Sequence, residues 1–108
     1  MAETLLTRQD HGQTIAVAVG SQLVVQLDES PTTGYTWAPL KTNDALPLTG
    51  DGFAAATPGS VGGGGRRRLH FSVLQPGEHQ LELALMRPWE GAAAAVERFT
   101  LTVQAQPP

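Results

Sequence analysis

Apolar and polar side chains alternate residue by residue along much of this chain, and no long helical period accompanies the alternation. Leu23, Val25 and Leu27 alternate with Val24, Gln26 and Asp28, while Leu69, Phe71 and Val73 alternate with Arg68, His70 and Ser72. Phe99, Leu101 and Val103 do the same against Thr100, Thr102 and Gln104. Ile15, Val17 and Val19 alternate with small residues, and Leu81, Leu83 and Leu85 resume the rhythm after Pro76 and Gly77. Successive side chains of an extended chain point to opposite faces, so each run buries one face and wets the other. Short runs of this kind, closely punctuated by turn residues, predict an all-β sandwich of two antiparallel sheets with about six to eight strands. Such a sandwich gathers its connecting loops at its two ends.

Tyr35, Thr36 and Trp37 form a further short strand closed by Pro39, which makes Trp37 the natural core tryptophan. From Leu40 to Gly65 glycine, proline, alanine and aspartate dominate, with Leu46, Leu48 and Phe53 as scattered anchors. One or two short strands and much loop are expected there. If the Leu69 and Leu81 runs form a hairpin, their apolar sets must share a face. An odd loop at Pro76, Gly77 and Glu78 then pairs Gln75 with His79 and Phe71 with Leu83. Ala92 to Ala95 favour helix by composition. The segment is only about one turn long, however, and it leads into a β-patterned run, so a loop or strand lead-in is expected.

The length of 108 residues fits one domain spanning residues 1–108. A chain of this size buries roughly two thirds of the surface it exposes when unfolded, enough for one modest core. It has no cysteine, which excludes disulfides, thiolate metal sites and a cysteine nucleophile. A net charge of −3 argues against nucleic acid as a partner. Arg66, Arg67 and Arg68 are the one basic cluster, read either as a solvated strand start or as a patch steering an acidic partner.

No apolar run approaches the roughly eighteen residues of a membrane-spanning helix, so no membrane association is expected. Met1, Ala2, Glu3 and Thr4 lack the features of a signal peptide. The expectation is a soluble protein, monomeric when free, and cytoplasmic unless a leader has been removed; in that case it is periplasmic or secreted. His11, His70 and His79 are scattered, and the hairpin register puts His70 and His79 on opposite faces. No serine sits in a nucleophile elbow and no carboxylate pair recurs at a catalytic spacing. The chain reads as a non-enzyme, with no catalytic residues, metal or cofactor expected.

Three loop motifs stand out. In Ser30, Pro31, Thr32, Thr33, Gly34 and Tyr35, proline extends the residue before it and glycine permits a reversal. Two β-branched threonines at a loop tip are stiff and lose little entropy on docking. On the residues alone an ordinary connecting loop is the favoured reading. Gly62, Gly63, Gly64 and Gly65 form either an idle hairpin connection or a backbone that can lie flat against a partner. They are not a phosphate loop, because the lysine and following helix are missing. Arg87, Pro88 and Trp89 follow the Leu81 to Leu85 strand. A tryptophan beside proline at a strand exit suits an exposed partner contact, and arginine and tryptophan are enriched in interface hot spots. The alternative is a cap over the sandwich edge.

In this order the three motifs resemble those of the chagasin-type inhibitors of cysteine peptidases. That family has an NPTTGY-like loop, a glycine-rich loop and an RPW loop, and the similarity runs from the first strand to about Val103. The resemblance implies an immunoglobulin-like sandwich that presents all three loops at one end, and a papain-like cysteine protease as partner. The loop matching Thr32 and Thr33 would enter the protease cleft and cover its catalytic cysteine and histidine. The glycine loop would run along one side, and the tryptophan loop would lie on the other, against aromatic protease surface. Inhibition of this kind is reversible and non-covalent, over an interface of roughly 1,600 Å². Where the family has asparagine at the loop start, this chain has Ser30, whose shorter side chain caps a loop less strongly. The reading from another class is a β-sandwich module for adhesion or assembly that turns the same loops to a non-protease partner.

Overall fold

A computed structural model describes residues 3–30, 33–40, 43–55 and 64–107. Eight strands run through them: β1 (Glu3–Leu6), β2 (Thr14–Ala18), β3 (Gln22–Glu29), β4 (Thr36–Pro39), β5 (Leu48–Ala55), β6 (Gly65–Ser72), β7 (Gly77–Met86) and β8 (Glu97–Gln106). They form two four-stranded sheets, ordered β1-β3-β6-β5 and β2-β8-β7-β4. The sandwich expected from the alternation is therefore present. Each sheet also carries one parallel edge strand, because β1 pairs with β3 and β2 with β8 in parallel while the other pairs are antiparallel. The chain enters one sheet as β1, crosses through a short 3₁₀ turn at Arg8–Asp10, and enters the other as β2.

The two inner faces meet in one cluster of buried side chains that includes Leu23, Val25, Leu27, Leu69, Phe71, Val73, Leu81, Leu83, Phe99, Leu101 and Val103. These are the residues picked out by the alternation, and Trp37 joins them at 2% exposure. The strand expected in the glycine- and alanine-rich stretch is β5, which pairs with β6 across an irregularity between Leu48 and Gly50.

The hairpin expected between the Leu69 and Leu81 runs does not form. Strand β6 lies in one sheet between β3 and β5, and β7 lies in the other between β4 and β8. Phe71 is opposite Leu23 and Leu48, and Leu83 is opposite Phe99 and Pro39. The reason is that alternation fixes which side chains face inward but not which sheet receives them. An arch from one sheet to the other keeps both apolar sets inside, and so does a hairpin. Gln75 and His79 still meet, through a hydrogen bond from His79 Nε2 to the Gln75 carbonyl at 2.9 Å. Ala92–Ala94 forms a 3₁₀ turn where a loop or strand lead-in was expected. Its backbone closes with Ala94 N donating to Gly91 O at 3.2 Å, tighter than the α-helix its composition favours.

Candidate functional site

Residues 30–35 join β3 to β4, and residues 87–96 join β7 to β8. The two connections meet. Thr33 folds the first of them on itself: its amide and its hydroxyl both donate to the Ser30 carbonyl, at 3.2 and 2.7 Å. The same hydroxyl accepts from the Tyr35 amide at 3.3 Å. Gly34 follows with φ at +81°, and among the described residues every positive φ belongs to a glycine. In the second connection Glu90 N donates to Arg87 O at 3.0 Å, a tight turn that carries Pro88 and Trp89 at its tip.

Arg87 joins the two. Its Nε donates to the Thr33 carbonyl at 3.2 Å, and its guanidinium lies over the Tyr35 ring, 4.5 Å from the centroid. Glu90 faces the same guanidinium at 3.7 Å. Trp89 is 73% exposed. One edge of the ring nevertheless reaches Gly34. A Cβ placed on Gly34 would lie 3.1 Å from Trp89 Cη2.

The glycine motif enters the description only at Gly64 and Gly65. Gly65 opens β6 and pairs with Glu29 on one side and Ala55 on the other. A cleft of about 550 Å³ separates these glycines from the threonine loop, with Ser30, Thr33, Tyr35 and Leu85 along its walls. Thus Ser30, Thr33, Gly34, Tyr35, Gly64, Gly65, Arg87, Pro88 and Trp89 belong to connections or strand ends at one end of the sandwich. Pro31, Thr32, Gly62 and Gly63 lie outside the described residues.

Two residues underlie this end: Glu29, which the sequence reading did not single out, and Arg67, which it named only as part of the basic cluster. The Glu29 side chain is 1% exposed, and its carboxylate is fully engaged. Oε1 accepts from the Trp37 amide at 2.7 Å, and Oε2 accepts from Arg67 Nε and Nη2 at 3.0 and 2.7 Å. Arg67 Nη1 continues to Asp51 at 2.9 Å, and the guanidinium sits 5.5 Å from the centroid of Phe53. The bonds to Glu29 outweigh burial and hold Arg67 above the ordinary arginine value. A buried charge of this sort is tolerated only when its hydrogen-bonding capacity is met.

The basic cluster is accordingly not a uniform patch. Arg67 turns inward, Arg68 Nε donates to Gln26 at 2.8 Å, and Arg66 lies 3.5 Å from Asp28. The inward turn had a signal in the sequence. Glu29 continues the inward set of Leu23, Val25 and Leu27, and Arg67 continues that of Leu69 and Phe71. Two opposite charges at inward positions of paired strands announce an ion pair, here with the carboxylate buried and the guanidinium 21% exposed.

Among the described residues no group of three or more histidine, cysteine, aspartate or glutamate side chains could hold a metal ion. The end of the sandwich offers instead a set of loops braced against one another.

The chagasin family peptidase inhibitor model I42 matches residues 16–103. Chagasin of Trypanosoma cruzi is 31% identical over 105 residues, covering 93% of this chain and 96% of chagasin. Amoebiasin-1 of Entamoeba histolytica is 35% identical over 103 residues, covering 94% of this chain and 98% of that protein. Among solved structures, the cysteine protease inhibitor EhICP2 of Entamoeba histolytica superposes with a TM-score of 0.86 at 28% identity, over 98% of this chain and 97% of that one. With the family model spanning most of the sandwich, and relatives of the same length matched almost end to end, this chain belongs to the chagasin family of peptidase inhibitors.

Proposed function

We propose that this protein is a reversible, non-covalent inhibitor of papain-like cysteine proteases. It acts by setting the end that carries the threonine, glycine and tryptophan loops into the protease cleft. The observation that carries the reading is the brace between two of those loops, in which Arg87 binds the Thr33 carbonyl and Trp89 leans on Gly34. Loops ordered before binding lose less freedom on docking, so more of the contact energy appears as affinity.

Thr32 and Thr33 would cover the catalytic cysteine and histidine. Pro31 and Ser30 precede them, and Gly34 and Tyr35 turn the chain back into β4. Gly62, Gly63, Gly64 and Gly65 would follow one wall of the cleft through backbone contacts. Arg87, Pro88 and Trp89 would present the exposed indole to the other wall. A protease cannot cleave a loop that places no carbonyl between its thiolate and its oxyanion donors, which accounts for inhibition without turnover. The shared core of the two sheets supports residues 1–108 acting as one inhibitor domain.

Titrating papain with the purified protein tests this. A stoichiometric, reversible loss of activity is expected, with trypsin unaffected in parallel. Untouched papain activity at micromolar protein would overturn it.

A further inference from the structure

We propose that Glu29 and Arg67 are positioning residues of the inhibitory end, an ionic clamp on a buried carboxylate that sets the threonine loop and the glycine segment relative to each other. The inference rests on the inhibitory reading above, because it assigns what holds those loops in register. Glu29 is the last residue of β3, immediately before Ser30. Its Oε1 accepts the amide of Trp37, which lies in β4 beyond the same loop. One carboxylate oxygen therefore pins both stems of the threonine loop.

The other oxygen takes the fork of Arg67, which lies in β6 two residues after Gly65. Through Nη1, Arg67 also holds Asp51 on β5, the strand that pairs with β6. The clamp thus spans three strands of one sheet and crosses to the other through Trp37. The Trp37 indole adds a second crossing, its Nε1 donating to the Asp28 carbonyl at 2.9 Å.

An apolar pair at these two inward positions would fill the same space. It would not fix the geometry, since hydrophobic contact is non-directional whereas two guanidinium N–H groups converging on one carboxylate oxygen fix both distance and direction. The placement is also selective. Deeper in the core Leu23, Val25, Leu69 and Phe71 occupy the same two inward faces, whereas Glu29 is the last residue of β3 and Arg67 the third of β6.

Glu29→Gln tests the clamp, because glutamine keeps the size and the acceptor toward Trp37 but turns an amide against Arg67. Amide hydrogen exchange is followed at Thr33, Tyr35 and Gly65 in the loops, and at Leu83 and Leu101 in β7 and β8. Exchange about tenfold faster at the three loop amides is expected, with the two core amides unchanged. Inhibition of papain is expected to weaken by about the same factor. Loop exchange and inhibition both at the level of the unmodified protein would overturn the proposal.

If Glu29→Gln also exposes the Leu83 and Leu101 amides, Arg67→Lys decides. Lysine keeps the charge and loses the fork, so loop exchange should rise while the core holds, and unchanged loops would sink the idea. Failure of the unmodified protein to inhibit papain would count against the function alone. The exchange comparison needs no protease and still reads the clamp.

Discussion

Gly34 presents a bare Cα to the six-membered ring of Trp89, so close that a Cβ there would lie 3.1 Å from Cη2 and 3.7 Å from Cζ2. The same glycine holds φ at +81°, in the left-handed region that L side chains disfavour. Two separate demands, one of backbone conformation and one of approach, therefore fall on one position. Together they let a largely exposed indole rest one edge on the threonine loop. Arg87 approaches the same point, its Nε 3.8 Å from that Cβ position while it binds Thr33.

Replacing Gly34 by valine should break both conditions at once. The left-handed conformation alone costs a residue with a side chain about 1–2 kcal/mol, and the added methyl groups would push Trp89 away. The expected outcome is a modest loss of stability in denaturant unfolding and a larger loss of inhibition, read as a raised Ki for papain. Unchanged inhibition by Gly34→Val would show that Trp89 does not need its rest on the loop.

Trp89→Ala separates binding from folding. With 73% of its surface open to solvent, the indole contributes little to the core. Truncation should therefore leave the melting temperature where it is. Binding to the protease should weaken by about 1–3 kcal/mol, the range of a tryptophan hot spot. Calorimetry of the complex and a thermal melt of the free protein check the two halves. A large fall in melting temperature would place the ring in the structural role instead.

Arg87→Lys asks whether this arginine acts through its charge or its shape. Lysine can still sit over Tyr35 but has no second planar donor to hold the Thr33 carbonyl at the same time. One exposed hydrogen bond is lost, so affinity should fall by about 0.5–1.5 kcal/mol. The loss should appear mainly as faster dissociation, which surface plasmon resonance resolves. Equal dissociation rates for the two proteins would show that the charge over Tyr35 suffices.

How much of this was legible in the sequence follows the reach of each signal. Alternation located the inward face of each strand from Leu23 to Val103, because it reports the local direction of side chains. It nevertheless set Val24 on the wetted face, where the parallel edge strand β1 pairs alongside and Val24 is 4% exposed. It could not assign β6 and β7 to different sheets, since an arch and a hairpin leave Phe71 and Leu83 equally buried. Strand β1 went unread because Leu5 and Leu6 are adjacent apolar residues with no alternation to reveal them, and its pairing is supplied by Gln22 to Val25 further along the chain. The three motifs carried the candidate site, but their composition described them as separate loops. Only the fold brings Arg87 to Thr33, 54 residues apart in sequence. Glu29 and Arg67 were visible as charges on inward positions. A reading that follows apolar residues alone passes over them.

The buried pair offers a last test, of stability rather than affinity. Removing one partner of a buried pair leaves a charge without compensation, and such changes cost about 3–5 kcal/mol. Replacing both partners by apolar residues of similar volume removes the desolvation cost along with the attraction, and is often neutral or better. Arg67→Met alone should therefore lower the unfolding free energy sharply, because the Glu29 carboxylate stays buried with only the Trp37 amide as partner. The double variant Glu29→Leu with Arg67→Met should recover much of that loss, although the Trp37 amide then lacks its acceptor. Urea unfolding of the two variants beside the unmodified protein gives the comparison. A double variant no more stable than Arg67→Met would mean that the clamp carries net folding energy, and that the inhibitory end is held by a bond the fold itself requires.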